Sequence, residues 1–336
     1  MSTTHLSSLA QQRVLITGAS GFIGGHLAHR IAAETSAIVT GVGRKFEDPA
    51  KLRAASINIA VADLRDQSAM AKLVSNADVI FHCAAWLPRG RGGDAEAHDA
   101  NVLCTERLVR LAADSGVKRF VHLSTISAYG LPRTDDISEE IPVDPRQSDL
   151  YGRTKALGEL SAREIAARRG LPLTVVRPAM VYGPRSAGWT ITMLKMVQKG
   201  LPVIFGDGLG HAHPVYIDNL VDLMLLAATR NEAVGQAYNG CDTSMPWHQF
   251  FGFYSDMCGK PIRTLPMPPA RLLAVANEKL HLGLPLTADR LEVYVRCMRF
   301  PVAKAERELG FTRKVSIDEG MRRSEEWLRA NGYLSH

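Results

Sequence analysis

RVLITGASGFIGGHLAHRI, residues 13–31, decides the fold. Its opening residues, Val14 to Thr17, read as a short buried strand. Gly18, Gly21 and Gly24 follow at once, and SGFIGGHLAHRIAAE continues as a helix. The spacing G-x-x-G-x-x-G lets the backbone turn tightly and come close to a pyrophosphate, with the amides of the following helix N-terminus facing its charge. Ser20, Phe22 and Ile23 lie between the glycines and complete the candidate phosphate-facing turn.

Outward from this unit, apolar β-branched runs alternate with helix-period segments. The runs are AIVTGV, INIAVAD, DVIFHCAA, RFVHLSTIS and LTVVRPAMV; QSAMAKLVSN, NVLCTERLVRLAADSG and YGRTKALGELSAREIAARRG lie between them. Short strands separated by helices predict a doubly wound α/β domain around a parallel sheet covered on both faces. After Arg177, proline, glycine and aromatic residues become denser, as in VYGPRSAGW and GLPVIFGDGLGHAHPVY. The expected division is a dinucleotide-binding domain over 1–177 and a smaller, mostly helical substrate region over 178–336, some segments of which return to the first domain. LPMPPARLLAVANEKL, residues 265–280, reads as an amphipathic helix that could serve as an apolar lid or as plain packing. AVANEKLHLGLPL, 274–286, allows a short amphipathic membrane contact.

The 336 residues are 46% hydrophobic and 22% charged, as in an ordinary globular protein with a sizeable core. A net charge of +6 could signal nucleic acid, but the basic residues are scattered among acidic ones, and RGRGG at 89–93 is short. The charge instead suits an anionic small ligand such as a phosphorylated cofactor, with no nucleic-acid partner. Cys83, Cys104, Cys241, Cys258 and Cys297 are odd in number and contain no Cys-x-x-Cys pair, which argues against structural zinc and a disulfide framework. His211 and His213 lack an accompanying carboxylate or cysteine cluster, so no metal site is expected. MSTTHLSSLAQQ has no apolar secretion core, and no run has the roughly 18 apolar residues of a membrane span. A cytoplasmic enzyme is the expectation.

Chemistry enters with YGRTK, residues 151–155. Tyr151 and Lys155 share one helix face, where a phenol and an ammonium can form an acid–base pair. Such a pair alone is commonly a solvated face, but beside the glycine turn it points to a nicotinamide cofactor and a proton donor at one carbon. Ketone reduction needs hydride at carbon and a proton at oxygen; the cofactor supplies the first and Tyr151 the second. A free phenol titrates near about 10, so Lys155 is expected to lower that value. At the second strand's end, VTGVGRK puts Arg44 and Lys45 where an acid would bind an unphosphorylated ribose. NADP(H) is therefore favoured and NAD(H) is the alternative. Asp63 and Leu64, after the third strand, are adenine-contact candidates.

TGASGFIG, HCAA, LSTISAYG, YGRTK and RPAMVYGP, in this order, resemble the extended short-chain dehydrogenase/reductase family, which also holds sugar-nucleotide epimerases and dehydratases. The resemblance covers essentially the whole chain. It implies a Rossmann-type sheet, an NAD(P) cofactor at the strand ends and a catalytic trio of Thr125, Tyr151 and Lys155, with Ser124 and Ser127 as other candidates for the hydroxyl. It places Lys155 on the nicotinamide ribose, and Ala84, Ala85, Asn101, Ser124, Pro178 and Val181 around the cofactor. It also points to a homodimer through the helices near Asn101 and Tyr151.

Ile126-Ser127-Ala128 stands where the resembling 4,6-dehydratases carry Asp-Glu, which disfavours dehydration. GDGLGHAHPVYIDN lacks the epimerases' diphosphate-binding arginine after the GDG turn, though Arg185, Arg296 or Arg299 could replace it. HPVYIDNLVDL and the segments after it look like the 3β-hydroxysteroid dehydrogenase-like branch, which interconverts secondary alcohols and ketones on apolar skeletons. Trp86, Met180 and Trp189, with Met193 and Phe205, would then give an apolar substrate wall or ordinary core. RGRGGD, 89–94, is a candidate gating loop. The leading expectation is an NAD(P)-dependent oxidoreductase of an apolar alcohol, ahead of a sugar-nucleotide epimerase and a non-catalytic dinucleotide sensor.

Overall fold

The computed structural model describes residues 6–88, 93–280 and 286–334. Residues 89–92 of the candidate gating loop and 281–285 of the segment 274–286 fall outside them. The first half runs β1 (Arg13–Thr17), α1 (Phe22–Glu34), β2 (Ile38–Gly43), α2 (Pro49–Ala54), β3 (Ile57–Val61), α3 (Gln67–Val74) and β4 (Val79–His82). Then come α4 (Asp94–His98), a π-helical stretch Asp99–Leu103, α5 (Cys104–Asp114), β5 (Arg119–Leu123), a 3-10 turn Ile126–Tyr129, α6 (Leu150–Arg169) and β6 (Leu173–Pro178).

Six of these strands and Ala237–Gly240 form one seven-stranded sheet, in the order β3-β2-β1-β4-β5-β6 followed by Ala237–Gly240. Every neighbouring pair is parallel. Such strands need crossovers, and the helices supply them while covering both faces. One apolar cluster, with Ile16, Phe81, Val121 and Val176, fills one face; a second, with Leu15, Ile80, Phe120 and Val175, fills the other. The alternation along each strand sends successive side chains to opposite cores.

The chain reverses its direction of travel between β1 and β4, so a crevice opens there at the carboxyl ends of the strands. Thr17 is in register with His82, His82 with His122, and Leu123 with Val176, which lines up the residues that lead into the site. Beyond residue 177 the chain is mixed. Helix Ile217–Thr229 packs on α1, β5 and β6, and Ala237–Gly240 completes the sheet beside β6. Met193–Gln198, Trp247–Cys258, Met267–Leu280 and Ala288–Val295 supply the helices of a smaller region, with a separate small core of Ala270, Ala274, Leu286 and Leu291. No helix among the described residues is long and apolar enough to cross a membrane.

Candidate active site

The cofactor end is built by close backbone approach. Gly18 has φ +71, and a Cβ there would stand 2.7 Å from the Ala84 nitrogen, so only glycine suits the crossing of the first turn under the end of β4. Gly24 lies against the Gly18 carbonyl, where a Cβ would come within 2.5 Å. Helix α1 then starts at Phe22 behind Gly21, whose lack of a side chain leaves the first amides without a side-chain cap. Ser20 faces the end of β2 beside Gly43. This cradle fits a dinucleotide pyrophosphate: amides converge on it and no side chain fills the turn.

Arg44 and Lys45 are exposed at the end of β2, on the side where a ribose phosphate would lie. Asp63 is already engaged, because Arg65 binds its carboxylate through Nε at 2.9 Å and Nη2 at 2.7 Å. Those bonds hold its pKa down to about 2. The carboxylate is thus spent on Arg65, a cation the sequence did not single out, while Leu64 packs partly buried against the second core. Ala84 donates its amide to Thr17 Oγ1 at 3.3 Å, and Ala85 is exposed beside it. Asn101 turns inward: its Oδ1 accepts from the Trp86 amide at 2.8 Å, and its Nδ2 donates to Thr154 Oγ1 at 3.0 Å. Its side chain therefore fastens the loop after β4 to α6.

The hydroxyl, the phenol and the ammonium come together at the ends of β5 and α6. Thr125 is 7% exposed, caps the 3-10 turn by accepting from the Ser127 amide at 3.2 Å, and its hydroxyl lies close enough to the Tyr151 phenol to favour the phenolate. Ser127 is exposed, whereas Ser124 is buried and its hydroxyl has no partner in the protein. Asp149 caps α6 by accepting from the Gly152 amide at 2.7 Å, which starts the helix at Leu150, one residue before Tyr151. Lys155, 2% exposed, donates from Nζ to the Leu123 carbonyl at 2.7 Å.

Burial raises the Tyr151 phenol to about 12, opposed by the Thr125 hydrogen bond. The expected depression by Lys155 is absent; the apolar surroundings dominate and hold the phenol protonated at neutral pH. The same burial lowers Lys155 to about 8, against the pull of Glu159 and Cys83 in the other direction. His82 and His122 lie beneath the ammonium with ring centroids 5.4 Å apart. His82 bonds Thr17 and Thr105, is lowered to about 3 by burial and then by Lys155, and stays neutral. His122 is lowered as well, by burial first and then by Lys155 and His82, and neither ring nitrogen has a partner in the protein. The sequence reading missed both histidines, because only the register of β4 and β5 shows that they meet.

Pro178 and Val181 lie at and beyond the carboxyl end of β6, both buried. Met180 is only 6% exposed and accepts the His213 amide at its sulfur, so it belongs to the core rather than to an open wall. Trp86 and Trp189 remain partly exposed. Among the arginines that could replace the missing diphosphate ligand, Arg296 donates to the Pro132 and Thr134 carbonyls and to Asp135, and Arg299 grips Asp136. Arg185 is exposed, with φ +73. Among the described residues there is no group of three or more histidine, cysteine, aspartate or glutamate side chains that could hold a metal ion.

The chain is similar over more than nine-tenths of its length to known proteins. It is 28% identical to a 4-hydroxy-2-methyl-3-oxo-4-farnesyl-3,4-dihydroquinoline-1-oxide ketoreductase of Stigmatella aurantiaca, covering 92% of this chain and 94% of that protein. It is 28% identical to the 3beta-hydroxysteroid-dehydrogenase/decarboxylase isoform 1 of Arabidopsis thaliana, covering 92% and 78% respectively. The UDP-glucose 4-epimerase of Thermotoga maritima, solved with UDP-glucose, has the same fold with a TM-score of 0.76 at 24% identity, over 95% of this chain and 99% of that one. The model of the NAD dependent epimerase/dehydratase family matches residues 14–240, from β1 to the seventh strand of the sheet. The chain belongs to that family, the extended short-chain dehydrogenases/reductases.

Proposed function

We propose that this protein is an NADP(H)-using oxidoreductase that interconverts an apolar secondary alcohol and its ketone. The observation that carries the reading is the meeting of the buried Thr125 hydroxyl and Tyr151 phenol at the strand ends, with Lys155 buried behind them. A bound dinucleotide supplies or accepts hydride at the substrate carbon. The protein's part is to hold the oxygen and move the proton. Thr125 donates to the ketone oxygen and orients it, and the neutral Tyr151 phenol gives up its proton as the alcohol forms. A phenol raised to about 12 stays protonated at neutral pH, as the donor role in ketone reduction requires. Lys155 binds the nicotinamide ribose hydroxyls from its buried place behind the pair. Arg44, with Lys45 beside it, meets the 2′-phosphate.

The substrate class follows from what the cleft lacks and what it keeps. Two of the three replacement arginines are bound to the loop 132–136, which removes charge from any diphosphate subsite. Trp86 and Trp189 offer apolar surface, and the farnesylated ketone in the name of the Stigmatella relative has the matching chemistry. Epimerisation of a sugar nucleotide is the second reading, supported by exposed Arg185 and by the fold shared with the Thermotoga enzyme. The deciding experiment follows NADPH absorbance with prenylated and steroidal ketones beside UDP-glucose. Ketone-dependent loss of NADPH is the expected result. Isomerised UDP-glucose without net NADPH loss would replace this reading with the second.

A further inference from the structure

Behind the candidate trio lies a buried ion pair. Glu159, with a fully buried side chain, sits one helical turn after Lys155 on α6 and receives Arg177 of β6 through Nε at 3.1 Å and Nη2 at 2.5 Å. Arg177, 1% exposed, also donates from Nη1 to Tyr129 Oη at 2.6 Å, and its guanidinium lies over that ring with 4.7 Å to the centroid. Tyr129 Oη donates onward to Asn239 Oδ1 at 2.9 Å, and Asn239 Nδ2 donates to the Ile137 carbonyl at 3.0 Å.

The elements joined are telling. Glu159 belongs to the helix that carries Tyr151 and Lys155, and Tyr129 ends the 3-10 turn that Thr125 caps. Asn239 belongs to the strand that closes the sheet edge. Desolvation makes such a pair a weak source of net stability, since well-packed apolar residues often do as well. Burial works against the charge of Arg177, and its bonds to Glu159 and Tyr129 outweigh that and keep it ionised.

We infer that Glu159 and Arg177 are positioning residues: Glu159, one helical turn from Lys155, places a carboxylate behind its ammonium, while Arg177 locks the Thr125 turn to the Tyr151 helix. The inference rests on the proposed role of Lys155. Around that ammonium stand Glu159 on its own helix, His82 and Cys83 at the end of β4, and His122 and the Leu123 carbonyl on β5. Glu159 is the carboxylate among them, and it meets Arg163 at 3.9 Å as well as Arg177.

The test titrates NADPH binding by its fluorescence, across pH, in the full-length protein. Wild type should lose affinity as pH rises through about 8, where Lys155 deprotonates. In Glu159→Gln the midpoint should fall by about one unit, giving affinity close to wild type at pH 6 and about fivefold weaker at pH 8. Glu159→Met with Arg177→Met leaves no buried charge unpaired, and it should show the same shift if the single variant does not fold. A loss of affinity by one factor at every pH, with the midpoint unmoved, overturns the inference and leaves only a structural role. Lys155→Met separates the two readings: it should abolish the midpoint. Wild-type NADPH affinity at all pH values in that variant would overturn the role of Lys155 itself, and the role of the pair with it.

Discussion

Helix α6 can stand where it does because residue 158 has no side chain. A Cβ built on Gly158 would meet the Asn101 carbonyl oxygen at 2.1 Å, in the π-helical stretch between α4 and α5. Ordinary contact needs a little over 3 Å, so Gly158→Ala must part the two helices by about 1 Å. Asn101 cannot simply yield. Its carbonyl already accepts from Thr105 Oγ1 at 2.9 Å, and its side chain ties Trp86 to Thr154. Overpacking of this kind costs about 1–3 kcal/mol, roughly 1–4 °C in melting temperature for a chain of this size. The larger effect should be on turnover, because the shifted helix carries Tyr151 and Lys155, and about 1 Å of misplacement can cost about 100-fold. Differential scanning calorimetry and ketone-dependent NADPH oxidation read the two effects. Gly252→Ala is the control, since an added Cβ there meets nothing within 4 Å inside the helix Trp247–Cys258. It should gain about 0.5–1 kcal/mol from helix propensity. If Gly158→Ala melts and turns over like wild type, the argument from helix proximity is wrong.

Tyr151→Phe should leave NADPH binding nearly unchanged while turnover drops by several orders of magnitude; full turnover would remove the phenol from the proposed chemistry. Arg44→Asp should shift preference from NADPH toward NADH, measured as the ratio of kcat/KM for the two, and an unchanged ratio would place the 2′-phosphate elsewhere. His82 and His213, both buried and lowered to about 3, are neutral when folded but titrate near 6.5 when unfolded. The unfolded chain then binds more protons below 6.5, so each histidine's contribution is present above that pH and is lost as pH falls toward 3. The loss amounts to about 2 kcal/mol each at pH 5. Urea unfolding at pH 8 and pH 5 should show it, and His213→Leu should flatten the difference; an equal difference in that variant would refute the assignment.

Much of the fold was legible because β1 to β6 are compact runs of β-branched and apolar residues between amphipathic helices, a pattern set by local chemistry. The seventh strand, Ala-Tyr-Asn-Gly, was not, since four mostly small or polar residues become a strand only by lying beside β6. The proximity of Thr125 and Tyr151 followed from motif order. Their environment did not: the phenol is raised rather than lowered, because apolar burial outweighs the nearby cation. Asp63, Asn101 and Met180 also needed three dimensions, for each is taken up by a partner distant or unremarkable in sequence: Arg65, Trp86 with Thr154, and His213. The contact of Arg177 with Tyr129 spans 48 residues and that with Asn239, through the tyrosine, reaches into the last third of the chain. No local periodicity encodes it.

Completing the sheet with Ala237–Gly240 has a consequence for how the protein is made. Until that stretch leaves the ribosome, the outer edge of β6 has no strand beside it, although the glycine cradle and α6 have long since emerged. A nascent or truncated chain ending before residue 237 therefore presents open amides and carbonyls next to a polar cluster that still lacks Asn239, an invitation to pair with a second unfinished chain. Fragments cut near residue 230 should collect in inclusion bodies, whereas those that extend past Gly240 keep their edge to themselves.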